Sequence, residues 1–258
     1  MTIDSIVSPG IERIYNEDFE AQKDYIEKIC LDVRNIEPDI IYKAKGFFVP
    51  NDSYLIEYFG DNCILDGLGI YSTPETCLWL HNLVLPIFSV GKTIEGLAGF
   101  NPFRYLEAHE TKNRGMNYYS YSSKEVFNKG DYLYMLPGTF EAAYEKGYLV
   151  ITDGIFDTLS FAKEGFLSGA LLGSFVSMTV LAQLRFIKTI ILAVDNDKAG
   201  QGLYARLCKN LNNVILFSQD KYKDSDDIIK SKDKDRYLKG LQDIIYSSMP
   251  INKFLGFK

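Results

Sequence analysis

Six aspartates arrive in three close pairs: Asp153 and Asp157 in DGIFD, Asp195 and Asp197 in DND, and Asp224 and Asp226 in DSD. Carboxylates gathered in such numbers repel one another unless cations sit between them. Hard divalent ions such as Mg²⁺ take carboxylate oxygens and keep waters and substrate phosphates as their remaining ligands. Phosphoryl- and nucleotidyl-transfer chemistry uses that arrangement. The spacing within each pair suits it. Carboxylates at i and i+2 in Asp195-Asn196-Asp197 point to one side of an extended chain, and Asp153 and Asp157, at i and i+4, converge at a strand-to-helix turn. Gly154 permits a sharp turn there, and Gly200 lets the next helix begin close to the sheet or to a phosphate. Taken singly, Asp197 fits a helix cap, and Asp224 and Asp226 fit a solvated charge run, KYKDSDDIIKSKDKD. Three pairs in step with three strand ends are harder to explain in that way.

The strand ends come from the chain's second half. From Gly147 onward, the apolar runs YLVIT, GALLG, TIILAV (Thr189–Val194) and VILF alternate with helical patterns at 155–164, 178–186 and 198–210. Runs of five or six apolar residues alternating with amphipathic helices predict an α/β fold with a parallel sheet covered on both faces. Ligands bind such sheets at the carboxyl ends of the strands, where all three acidic pairs fall. Residues 1–45 are helical in pattern, with a helix over Asp18–Val33, and residues 46–105 read as short strands, among them Leu83–Phe88 and Thr93–Phe100. A polar, tyrosine-rich connection follows over 105–130, then a helix over Leu136–Lys146. The expected organisation is a smaller α+β subdomain over 1–145, a catalytic α/β domain over 146–232, and a last helix (Arg236–Tyr246) with a tail over 233–258.

Composition bounds the function. The 258 residues are 47% hydrophobic, enough for a sizeable core. The 34 acidic residues exceed the 28 Lys and Arg by 6, the same number as the motif aspartates. That balance speaks against a simple nucleic-acid-coating protein, but bound cations would reverse its sign at the acidic edge. Cys30, Cys63, Cys77 and Cys208 form no C-x-x-C pair, and the histidines are His81 and His109, so no zinc site is expected. Scattered cysteines and an N-terminus without a signal pattern predict a reduced, cytoplasmic protein, and no stretch reaches the ~20 apolar residues of a membrane span.

DGIFD, VDNDKAG and KDSDD resemble the Toprim domain shared by bacterial and phage DNA primases, topoisomerases and some nucleases, in the version carried by DnaG-type primases. Upstream, LVLPIFSVGKTIEGLAGF and SSKEVFNKGDYLYML resemble looser primase segments, so the similarity runs over roughly residues 80 to 230. The chain departs from the family at Asp153, where a Glu is usual, in HNLVLPI, where a basic residue is missing, and at Asn117, where a lysine is usual. The resemblance implies a primase core without zinc-binding and helicase domains, of phage or mobile-element origin. Such a core would synthesise short RNA primers on single-stranded DNA from NTPs, with Mg²⁺ (or Mn²⁺) and a replicative helicase as partner. Asp195, Asp197, Asp224 and Asp226 are then the metal ligands, and Asp153, with Asp157, holds metal or activates the attacking 3′-hydroxyl. Lys92, Arg104, Lys124 and Lys129 are candidates for template or nucleotide phosphates. Tyr118, Tyr119 and Tyr121 are candidates for stacking on bases, and Phe254, Leu255 and Phe257 of the tail for docking a partner. A Toprim nuclease and a non-catalytic replication accessory or inhibitor are the alternatives.

Overall fold

A five-residue strand whose side chains are all buried must be covered on both faces, and the second half of the chain is built around one. In the computed structural model, Tyr148–Thr152 (YLVIT) is such a strand. Leu149 and Ile151 join one hydrophobic cluster and Tyr148 and Val150 another, the alternation dictated by the pleat. The structure describes residues 2–34, 36–60, 71–73, 76–77, 82–112, 119–122, 127–173, 175–195, 197–217, 222 and 225–248. They divide into two compact units, Met1–Lys129 and Gly130–Lys258. No helix among the described residues is long and apolar enough to cross a membrane.

In the first unit, helices α1 (Ile3–Glu17), α2 (Phe19–Lys28), α3 (Pro38–Lys43) and α4 (Asp52–Phe59) accompany a four-stranded sheet. The sheet's order is β1 (Phe47–Phe48), β4 (Leu83–Phe88), β5 (Ile94–Phe100), β6 (Tyr119–Tyr121), antiparallel throughout. Strands β2 (Tyr71–Thr73) and β3 (Thr76–Cys77) pair separately. Val7, Ile11 and Ile14 form the buried stripe of α1 and pack with Phe47, Leu55, Phe59, Val84 and Leu97. Three expectations need correction here. The helix expected over Asp18–Val33 is α-helical only to Lys28 and continues as a π-helix, Ile29–Arg34. The stretch 46–105, expected as strands, contains α4. Its aromatic residues favour strands, but Tyr54, Leu55, Tyr58 and Phe59 bury at helical spacing, and the Asn51 side chain accepts the Tyr54 N–H at 3.0 Å as an N-cap. Helix α5 (Pro102–Glu110) opens what was expected as a connection; Pro102 stands in its first turn and Asn101 caps it.

The second unit carries a five-stranded sheet in the order β11 (Val214–Leu216), β10 (Thr189–Leu192), β8 (Tyr148–Thr152), β9 (Ser168–Leu171), β7 (Leu133–Met135). Strands β8 to β11 are parallel, and β7 is an antiparallel edge. One face is packed by residues of α6 (Thr139–Lys146), α8 (Met178–Arg185) and α9 (Lys198–Asn210), the other by residues of α7 (Ile155–Lys163), α10 (Ser225–Ile229) and α11 (Lys234–Ser248). This is the parallel sheet flanked by helices that the strand–helix alternation predicts. The units part between Lys129 and Gly130 rather than at 145/146, because β7 and α6 complete the second sheet and its core. Helix α11 belongs to the same core through Tyr237, Leu238, Leu241 and Ile245.

Candidate metal centre

The chain leaves β8 toward β9 on one side and leaves β10 toward β11 on the other. At such a reversal the two connections diverge and open a crevice at the carboxyl ends of the two central strands. β8 and β10 are in register there: Leu192 lies opposite Ile151, whose carbonyl accepts the Ala193 N–H at 2.8 Å. Asp153 is the first residue beyond β8, and Asp195 the third beyond β10. The Asp195 N–H donates to Asp153 Oδ2 at 3.3 Å, so the first and second acidic motifs meet. Asp153 is exposed and Asp195 half-buried. A Cβ added at Gly200 would collide with the Asp195 carbonyl oxygen, so only glycine lets α9 start this close to the loop. Asp197 accepts the Gly200 N–H on Oδ1 at 2.9 Å and serves as the N-cap of α9.

The turn after β8 is fixed from within. The Thr152 hydroxyl donates to the Gly154 carbonyl at 2.9 Å and lies 2.7 Å from the Thr158 hydroxyl. A Cβ at Gly154 would collide with Asp157 Oδ2, so glycine here makes room for that carboxylate to fold back over the turn. Asp157 Oδ1 accepts the Asp226 N–H at 2.9 Å, which ties α7 to α10. Asp226 is 7% exposed. Its Oδ1 accepts from the Ser160 hydroxyl at 2.5 Å and its Oδ2 from Lys230 Nζ at 2.6 Å. Ser225 is fully buried; its hydroxyl donates to the Ala193 carbonyl at 3.4 Å and lies 3.3 Å from the Tyr237 hydroxyl, which seats α10 at the end of β10.

Asp153 and Asp195 are therefore brought together, Asp197 begins the next helix beside them, and Asp157 and Asp226 are joined to each other through a backbone N–H. Asp153 reaches the β10 loop through its Oδ2 and Asp157 reaches α10 through its Oδ1. Asp224 lies outside the described residues. Among those described, no group of three or more acidic, histidine or cysteine side chains converges as a cage. Two strand-end carboxylates nonetheless suit Mg²⁺, which is commonly bound by one or two carboxylates plus waters and phosphates. Sequence reasoning missed Ser160, Lys230 and Thr152. Lys230 had a signal, since it follows Asp226 by four residues in a helical segment; Ser160 had none.

The basic candidates lie in the first unit. Lys92 is exposed at the tip of the β4–β5 hairpin, with a positive φ of 66°. Arg104 is exposed in the first turn of α5. Lys129 is exposed, and its ammonium stands 4.8 Å from the ring centre of Tyr121. Tyr121 and Tyr119, two residues apart on β6, stack at 6.5 Å and 22°. Burial pushes the Tyr121 hydroxyl up to about 12. Lys124, Tyr118, Trp79, His81 and the tail with Phe254, Leu255 and Phe257 lie outside the described residues. His109 sits on α5 with its Nδ1 2.9 Å from the Tyr105 carbonyl.

Comparison with known proteins falls on these features. Residues 150–229 match the family model described as Toprim-like, the span that holds all six motif aspartates. A DNA primase of Thermotoga maritima is 31% identical over 126 residues, covering 46% of this chain and 22% of that protein. The chain spans only 22% to 34% of the length of such curated relatives. Among solved structures, the zinc-binding and RNA polymerase domains of the Aquifex aeolicus primase superpose with a TM-score of 0.69 at 22% identity, covering 96% of this chain and 62% of that one. A DnaG primase catalytic domain bound to single-stranded DNA superposes with a TM-score of 0.69 at 15% identity, covering 91% and 78%.

Proposed function

We propose that this chain, which has the fold of a DnaG-type primase catalytic core with a Toprim-like second unit, synthesises short RNA primers on single-stranded DNA from NTPs. The observation that carries the reading is the meeting of Asp153 and Asp195 at the switch point between β8 and β10, tied by the 3.3 Å bond. Asp153, Asp195 and Asp197, with Asp224, would hold Mg²⁺, for which Mn²⁺ would substitute. A divalent cation bound there supplies charge neutralisation on the nucleotide's phosphates. The chain's own residues supply placement. The Asp195 N–H holds Asp153 at the position where the family usually carries the longer Glu, and Asp153 is the group facing the attacking 3′-hydroxyl. Asp157 is a positioning residue that locks α7 to α10 through the Asp226 N–H. Rigid alignment of nucleophile and phosphate provides most of the rate in such transfers.

A single-stranded DNA template agrees with the ligand of the relative described above. In this reading Lys129 and Tyr121 contact the template, Lys129 at phosphate and Tyr121 at a base face, with Lys92 and Lys124 serving phosphates of template or nucleotide. A replicative helicase is the implied partner, and the bacterial cytoplasm or a phage-infected cell the implied setting. Incubation with single-stranded DNA, NTPs and Mg²⁺ or Mn²⁺ should yield oligoribonucleotides on a denaturing gel, and Asp195→Asn should abolish them. No product from any template with either ion would refute the proposal.

A further inference from the structure

We infer that Lys230 is a resident counter-cation: its ammonium takes the place at Asp226 that a further divalent ion would occupy, so metal binding falls to the other motif carboxylates without Asp226. This deepens the metal reading above and rests on it. The Asp226 side chain is 11% exposed and that of Lys230 23%. A carboxylate withdrawn this far from water must have its charge matched or it is strongly penalised. Asp226 is matched from both sides, by Lys230 Nζ at 2.6 Å on Oδ2 and by the Ser160 hydroxyl at 2.5 Å on Oδ1. These are short, charge-assisted bonds. The lysine is delivered locally, since its N–H donates to the Asp226 carbonyl at 3.2 Å and continues the helical turn. The i,i+4 spacing therefore keeps the ammonium over the carboxylate for as long as α10 is helical.

A divalent ion at Asp226 would have to displace Ser160 or meet the ammonium at short range. An ammonium fixed by the chain also spares the site the dehydration that Mg²⁺ resists. Asp226 thus acts as a keystone: its N–H holds Asp157, its carboxylate holds α7 through Ser160, and its charge is balanced by the residue that follows its own helix. Lys230 is accordingly a positioning residue, set apart from the ligands by having a cation's role without exchange.

The test counts Mn²⁺ bound per chain by electron paramagnetic resonance titration of the metal-free full chain. Lys230→Met, which keeps the side chain's volume and removes its charge, is expected to bind one Mn²⁺ more than the wild type, and Lys230→Arg to bind the wild-type number. A Lys230→Met count equal to wild type overturns the inference. Asp226→Asn approaches from the other side and does not depend on the lysine variant folding. It should leave the wild-type count unchanged, and loss of an ion overturns the inference. A lysine of purely structural importance would lower the melting temperature in Lys230→Met without adding an ion. The metal reading itself is judged separately, by whether the wild type binds Mn²⁺ and Asp195→Asn loses it.

Discussion

Gly200 and Gly202 lie two residues apart in α9 and should respond to the same substitution in opposite directions. Replacing an exposed helical glycine by alanine stabilises by about 1 kcal/mol, because less backbone entropy is lost on folding. Gly202 is exposed with nothing within 4 Å of an added Cβ, so Gly202→Ala should gain that amount. Melting should rise by roughly 3 °C at about 2–4 °C per kcal/mol for a chain of this size. At Gly200 the same methyl meets the Asp195 carbonyl oxygen and crowds Val194 Cγ2 at 3.1 Å. Backbone cannot swing aside as a flexible side chain does, so overpacking of about 1–3 kcal/mol outweighs the helical gain. Relief requires the Asp195 loop or the start of α9 to move, and a displacement of about 1 Å at a catalytic group costs on the order of 100-fold in rate. Gly200→Ala should therefore melt below wild type and lose primer synthesis by about two orders of magnitude, while Gly202→Ala melts above it with full synthesis. Calorimetry and a gel-based priming assay on the two variants side by side decide it. Equal behaviour of the pair would refute the claim that α9 starts against Asp195.

Asp195→Asn should keep the circular dichroism spectrum of the wild type, weaken Mn²⁺ binding by at least about tenfold, and abolish priming; isothermal titration reads the affinity. Lys129→Ala should weaken single-stranded DNA binding evenly across sequences and reduce the slope of log K against log salt by about 0.7, the value for one phosphate contact on a single strand. Tyr121→Ala should lose about 1–3 kcal/mol of the same binding if the ring stacks on a base, with fluorescence anisotropy the measurement for both. Cys30 is fully buried, and burial first, then Glu27 and Glu37, raises its thiol from 9.0 to about 12. A folded value above the unfolded one means the contribution is fully present below about pH 9 and is lost as pH rises toward about 12. Urea midpoints should fall across that window and recover in Cys30→Ala relative to wild type, and at pH 8 a thiol reagent should label exposed Cys208 in preference to Cys30.

The strand–helix alternation from Tyr148 to Asn210 was legible because its strands are short, mostly apolar runs, each with a helix-period segment after it. Helix α4 was not, because Tyr54, Tyr58 and Phe59 favour strands by residue type while their spacing favours a helix, and the two signals oppose each other over so short a segment. Strand β7 is three residues long, too short for any periodicity, and is a strand only because Leu133 to Met135 find partners in Leu171 to Gly169. The same split runs through the site. The meeting of Asp153 and Asp195 follows from their positions after adjacent parallel strands. The Asp157–Asp226 bond joins residues 69 apart in sequence through a backbone N–H, a group that every residue but proline carries and that no motif can single out.

Strand β7 also bears on how far the second unit can be trimmed. The family match starts at residue 150, inside β8, and stops at 229. A fragment cut to those limits would strip β7 from β9, laying bare a row of unsatisfied amides along Ser168–Leu171 and inviting intermolecular pairing. It would also discard α11, whose fully buried Leu241 fills one face of the sheet. A piece that runs from Gly130 through α11 keeps both faces covered and that edge of the sheet capped.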